Sequence, residues 1–449
     1  MASWIEAADR FWAVSVDLAW GLPLVVLLIS AGLYFTVAGR FVPFRRFGHA
    51  IRVLRGEFDD PRDPGEITHF QALSSALAAT LGMGNIAGVA IAVSVGGPGA
   101  VFWMWIAGLV GMATKFFTCT LSCMYRKKDS AGIVQGGPMY WIEVALGPRW
   151  RFLGVLFSLF GMIGCLALFQ INQLASLLHT DYAIPRAATG AGATFVVGIV
   201  ILGGIARVGR VTARIVPFMA VLYFVSSLVI VSQHLDALGA VLQSIFVGAF
   251  HGGSVAGGVA GVTVREALIT GVRRAAFSNE AGIGTAPMAH GAARTDEPVR
   301  EGLVAMLGPF IDTNIVCTLT ALVILTSGVT GTDDGVLLTA AAFEAGMPGG
   351  RLVLTLVILL FSLSTLISYS YYSSKCAKYV LGDGLGGRYV YVYLGTVFLG
   401  ALWSQDMVIN MLDTAFAMMA IPTLTSTLAL SPRVVAATRD YFARMEASG

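Results

Sequence analysis

Apolar residues gather along the chain in runs of about twenty, the length a helix needs to cross a bilayer, with short polar segments between them. About eleven runs can be drawn, at 18–38, 68–95, 99–124, 152–178, 186–206, 215–235, 239–268, 302–327, 352–373, 389–404 and 407–430. The polar segments test the count, because Lys and Arg collect on the cytoplasmic side of a membrane. Arg40, Arg45, Arg46, Arg52 and Arg55 follow the first run; Arg126, Lys127, Lys128, Arg149 and Arg151 follow the third; Arg207, Arg210 and Arg214 follow the fifth. Arg273, Arg274, Arg294 and Arg300 follow the seventh, Lys375, Lys378 and Arg388 the ninth, and the tail carries Arg433, Arg439 and Arg444. The alternate segments hold little beyond Arg10, Arg186 and Arg351. The pattern predicts an all-α polytopic membrane protein with its N-terminus outside and its C-terminus in the cytoplasm.

Two runs are interrupted by glycine. The second contains Gly82, Gly84 and Gly88; the seventh contains Gly252, Gly253, Gly257, Gly258 and Gly261. Glycine weakens a helix and frees its backbone, and unwound backbone survives at membrane depth only where protein or a water-filled cavity satisfies it. Such glycines also serve close helix packing. Each cluster, however, opens a set of five runs, and the two runs start on opposite sides. This predicts a five-plus-five inverted repeat with broken helices: an extra N-terminal helix and loop over 1–67, repeats over 68–238 and 239–430, and a cytoplasmic tail over 431–449. In such folds the broken helices meet at the midplane around substrate and ion. The stretch Ser278–Pro287 reads as a gate or turn at the cytoplasmic mouth.

Composition narrows the classes further. Of 449 residues, 56% are apolar and 12% charged, about half the charged share of a soluble domain. A net charge of +3 in scattered clusters gives no nucleic-acid surface. Cys119, Cys123, Cys165, Cys317 and Cys376 sit in or beside apolar runs and read as packing residues. Acidic Glu6, Asp9 and Asp17 outweigh Arg10, unlike a secretory signal. No phosphate-binding glycine loop, His-Glu-x-x-His or Gly-x-Ser-x-Gly motif is present, which disfavours nucleotide-driven transport and intramembrane hydrolysis. His251, beside the second glycine cluster, reads as a structural histidine.

Ionisable groups inside a span cost at least about 2.5–3.5 kcal/mol and so default to paired or functional roles. They are Lys115, Asp312 and Asp413, with Lys115 able to pair with either carboxylate. The ninth run carries Ser362, Ser364, Thr365, Ser368, Tyr369 and Ser370, whose hydroxyls suit Na⁺ coordination or back-bonding to their own helix. Gln170 and Asn172 are amides that need partners in an apolar run. The candidate Na⁺ ligands are Leu81, Gly84, Ser364, Thr365 and Ser368.

Gly84–Ala90, Gly96–Trp105, Gly111–Lys115, Gly136–Tyr140, Ile215–Ala220, Phe277–Gly282, Phe310–Thr313 and Met419–Pro422 together resemble the alanine/glycine:cation symporter family. The resemblance implies sodium-driven uptake of alanine, glycine or a near relative into a bacterial cell, across the inner membrane. Na⁺ is then the coupling ion, with no cofactor, no nucleic-acid partner and no fixed oligomeric state. The substrate is implied to lie between the unwound segments, at Gly82, Met83, Gly84, Asn85, Gly252, Gly253, Ser254 and Gly257, close to Gln170, Thr365 and Tyr369. Departures bear on its identity: Met83 replaces a usual Thr, Ser368-Tyr369 a usual Gly-Trp, Thr118 a Glu, and Phe416-Ala417 an Asn-Gly. A rival on the same fold uses H⁺, carried by Asp312 or Asp413.

Overall fold

The computed structural model describes residues 2–130, 132–251, 263–329 and 335–447. Apart from a two-stranded hairpin, Lys127–Lys128 against Val134–Gln135, its regular structure is helical. Among the described residues six helices are long and apolar enough to cross a membrane: Gly99–Met124, Pro148–Tyr182, Ala206–Ser232, Pro298–Ser327, Gly350–Gly400 and Gln405–Ala447. Two bent pairs qualify jointly, Arg10–Ala19 with Leu22–Ala38 and His69–Thr80 with Met83–Gly96, turning 44° and 41° at their breaks. Large apolar side chains face outward; Phe195 is 70% exposed and Phe218 62%. That arrangement fits lipid as the surrounding solvent.

The 51 residues of Gly350–Gly400 would extend roughly 75 Å as one helix, more than twice the hydrocarbon thickness. Gly382 adopts φ 77°, a left-handed conformation natural only to glycine. The chain doubles back there, and the Tyr393 hydroxyl donates to the Leu366 carbonyl. The ninth and tenth apolar runs are therefore an antiparallel helical pair.

One boundary needs correction. The run 239–268 is not a single interrupted helix: Leu235–Phe250 ends before His251, and a new helix, Val264–Asn279, begins after Thr263. A capping box starts it, with Thr263 Oγ1 accepting from the Glu266 amide at 3.1 Å and Glu266 accepting from the Thr263 amide at 2.8 Å. Gly252, Gly253, Ser254, Gly257, Gly258 and Gly261 lie outside the described residues. A break does occur at Glu280–Thr285, between Val264–Asn279 and Ala286–His290. Glu280, Gly282 and Gly284 all have positive φ there. The stretch read as a gate at the mouth thus contains a helix break. Arg273 and Arg274, read as loop residues, lie inside the helix before it.

The two broken helices run antiparallel. Before the first, the Ile67 carbonyl accepts from Arg294 at 2.7 Å, and the Glu66 amide donates to the Ala292 carbonyl at 2.8 Å, just beyond the second. Farther along, a methyl on Gly84 would stand 3.1 Å from Ser278 Cα, and one on Gly96 would stand 3.0 Å from Thr270 Cβ. Glycine at these positions allows backbone-level approach.

Ion pairs fasten both ends of this centre. At one, buried Asp413 accepts from Arg273 Nε at 2.8 Å and from Arg274, while Trp20 Nε1 donates to its carbonyl at 2.7 Å. At the other, fully buried Glu301 engages both His69, which opens the first broken helix, and His290, which closes the second. Removing one member of a buried pair strands its partner, at a cost of about 3–5 kcal/mol. Asp413→Ala is expected to lower the detergent-solubilised melting temperature by several degrees, read by intrinsic fluorescence; an unchanged midpoint would show that the arginines rehydrate.

Candidate functional site

In a continuous helix the Gly82 amide would donate to the Ala78 carbonyl. Here Leu81 is extended, at φ −69° and ψ 93°, and that bond is replaced from both sides. The Gly82 amide donates to Asn85 Oδ1 at 2.9 Å. The Ala78 carbonyl accepts from the Thr365 hydroxyl at 3.0 Å and from Ser364 at 3.3 Å. A methyl on Gly82 would lie 2.7 Å from Thr365 Oγ1 and 3.9 Å from Gln170 Nε2. Gly82, Asn85, Thr365 and Gln170 therefore converge on one unwound turn.

Buried oxygens on these elements remain without a hydrogen-bond partner among the described residues: Thr80 Oγ1, Gln170 Oε1, Ser368 Oγ and Tyr372 Oη. An unpaired buried polar atom costs about 1–3 kcal/mol. Several on the elements around one helix break mark a place for a polar ligand.

Asn85 also reaches the second break. Its Nδ2 lies 2.7 Å from Asp312 Oδ1 and 3.0 Å from Ser278 Oγ. Ser278 Oγ and Thr313 Oγ1 donate to Asp312 Oδ2 at 2.6 and 2.9 Å. At the break itself, Glu280 accepts from the Tyr369 and Thr285 hydroxyls. Buried Lys115 acts electrostatically most strongly on Glu280 and also on Asp312. Lys115 thus lies in the field of Glu280 and Asp312 without a direct ion pair to either, whereas Asp413 belongs to the arginines.

Other residues singled out in the sequence take different places. Gly84 packs against Ser278 and Phe277, and Met83 and Leu81 are fully buried in the core. Tyr369 spends its hydroxyl on Glu280. Asn172 props the turn before the last helix, donating to the Trp403 carbonyl at 2.8 Å. Thr118 back-bonds to Thr114 at 2.9 Å, and Phe416 packs against Phe277 with ring centres 5.5 Å apart. Ser278 and Glu280 were missed as site residues, although Phe277–Gly282 is itself one of the family-like stretches.

A multi-span helical bundle whose two antiparallel broken helices meet around polar, partly unpaired groups is the architecture of a secondary transporter. A mutant of the Eremococcus coleocola manganese transporter shares the fold, with a TM-score of 0.55 and 13% identity over 80% of this chain and 79% of that one. The chain belongs to the sodium:alanine symporter family, which it matches over residues 5–448. It is 40% identical to the sodium/alanine symporter AgcS of Methanococcus maripaludis, covering 94% of each chain. It is 34% identical to the probable sodium/glutamine symporter GlnT of Bacillus subtilis, covering 97% of this chain and 91% of that one. It is thus an integral multi-pass membrane protein and a cation-coupled amino-acid symporter, not an enzyme.

Asn85 joins both breaks, so Asn85→Ala would leave the Gly82 amide and Asp312 short of partners. The expected loss is about 1–3 kcal/mol, read as a lower unfolding midpoint in detergent; an unchanged midpoint would assign their satisfaction to other groups.

Proposed function

We propose that the chain carries a small neutral amino acid together with Na⁺ by alternating access. The observation that supports this best is the unpartnered Gln170 Oε1 beside an unwound turn whose backbone groups have been rerouted to Asn85 and Thr365. The substrate carboxylate meets the start of Met83–Gly96, where first-turn amides and the helix dipole favour negative charge. Its ammonium faces Gln170 Oε1. Thr365 and Ser364 turn their protons to the Ala78 and Phe361 carbonyls, which leaves oxygen lone pairs for a cation beside the Leu81 and Gly84 backbone and Ser368.

Proton coupling is the second reading. The observation favouring it is a pair of buried carboxylates, Glu280 and Asp312, flanking the breaks. Asp413 serves it poorly as a carrier, being held by two arginines. In the same proposal the N-terminus lies outside and the C-terminus inside. The first five-helix repeat ends near 238, and the broken helix of the second begins at Val264.

Purified protein in proteoliposomes is expected to accumulate tritiated alanine, glycine or glutamine under an inward Na⁺ gradient and not under matched K⁺. Gln170→Ala, Thr365→Ala and Gly82→Ala should each lower uptake kcat/KM by tenfold or more, about 1.4 kcal/mol or above. Uptake that follows a proton gradient without Na⁺ would transfer the coupling to Glu280 or Asp312. Single cysteines introduced by Ser404→Cys and Ala447→Cys should label from outside and inside respectively, and the reverse result would invert the topology.

A further inference from the structure

A cavity of about 430 Å³ lies farther along the helix that carries Thr365, walled by apolar side chains such as Ile201, Val208 and Val390 and crossed by one polar stripe. Its volume falls within the usual range for small-molecule pockets, about 300–1,000 Å³. Tyr371, Ser374, Lys375 and Lys378 line it at the three- and four-residue spacing of a single helical stripe. Lys375 stands roughly 15 Å beyond Thr365 along that helix. Gln135, on the short hairpin, lines another side.

Charges of both signs meet here. Lys375 is only 3% exposed; its strongest charged neighbour is Glu66, and Lys378 and Asp129 also act on it. Glu66 sits in the loop before the first broken helix, where burial pushes its carboxyl above the ordinary value while Lys375 and Lys378 oppose the rise. Gln135 Oε1 and Glu66 Oε1 are buried and have no partner among the described residues. The Gln135 amide nitrogen is already committed, donating to Asp129 at 2.9 Å. Lys375 Nζ donates to the Met288 carbonyl at 3.0 Å, in the inner half of the second broken helix, and lies 4.7 Å from the Tyr371 ring centre.

We propose that this cavity is a second binding site for the transported amino acid, with its carboxylate at Lys375 and Lys378 and its ammonium at Gln135. The ligand class rests on the amino-acid reading above. Glu66 and Asp129 offset the two lysines, so a zwitterion suits the site better than an anion. A carboxylate here competes with the Met288 carbonyl for Lys375, so occupancy acts directly on the second broken helix. Amino acid at this end of the protein thereby influences how that half-helix is held.

Equilibrium binding of tritiated alanine, glycine and glutamine to the purified protein in NaCl tests the assignment. The wild type should bind two molecules per chain of whichever amino acid is taken up. Thr365→Ala should bind one, and Lys378→Gln and Gln135→Ala should each retain only the central one. One site in the wild type, or two in both cavity variants, overturns the proposal. Displacement of the second molecule by phosphatidylethanolamine also overturns it and gives the cavity to a lipid headgroup. No saturable binding of any of the three would overturn the amino-acid reading as well, which separates the two failures.

Discussion

The Ala78 carbonyl and the Gly82 amide would bond each other in an unbroken helix, and the centre of this protein is organised around keeping them apart. Hydrocarbon offers no replacement for a lost backbone hydrogen bond, so each group must be matched by a side chain from within. Asn85 takes the amide, and Thr365 with Ser364 takes the carbonyl. These side chains come from two elements, the first broken helix itself and the long helix behind it. The unwound turn therefore exists only while those elements stay in register. Geometry at the site and packing of the bundle become the same constraint.

Asn85 extends that constraint to the second break. Its amide nitrogen faces Asp312 and Ser278, so a change at one break is felt at the other through one side chain. Close approach at Gly84 adds a steric counterpart to this polar link. Ion pairs at both ends complete the frame, Asp413 with Arg273 and Arg274 at one and Glu301 with His69 and His290 at the other. The alternating access proposed above would ask such a frame to loosen at one end while it holds at the other. Charge pairs suit that demand better than packed hydrocarbon, because each ion can trade its partner for water as its end opens.

Much of this is legible from the residues alone. Apolar runs and the sidedness of Arg and Lys give a polytopic helical protein, and Gly82 and Gly84 locate the first break, since glycine in an apolar run is a strong local signal. The second break is harder to see. Its helix carries Arg265, Glu266, Arg273 and Arg274 within sixteen residues, and those charges hide it among the spans. The glycines at 252–261 are the louder signal, but they fall before Thr263, where capping starts a separate helix. Arg273 and Arg274 look like loop residues because their partner, Asp413, is about 140 positions away, and nothing local reveals that pairing. Gln170 and Thr365 come from family resemblance; only the fold shows that they converge on Gly82.

The departures at Ser368 and Tyr369 take on meaning from these contacts. The phenol of Tyr369 is already engaged by Glu280, so its effect on substrate is that of a ring and a fixed carboxylate, not of a free donor. Ser368 is the opposite case: its hydroxyl is buried and has no partner among the described residues. Under the proposed coupling to Na⁺, the cation supplies the partner that the Ser368 oxygen otherwise lacks, so that relief of a buried polar atom and ion binding are one event.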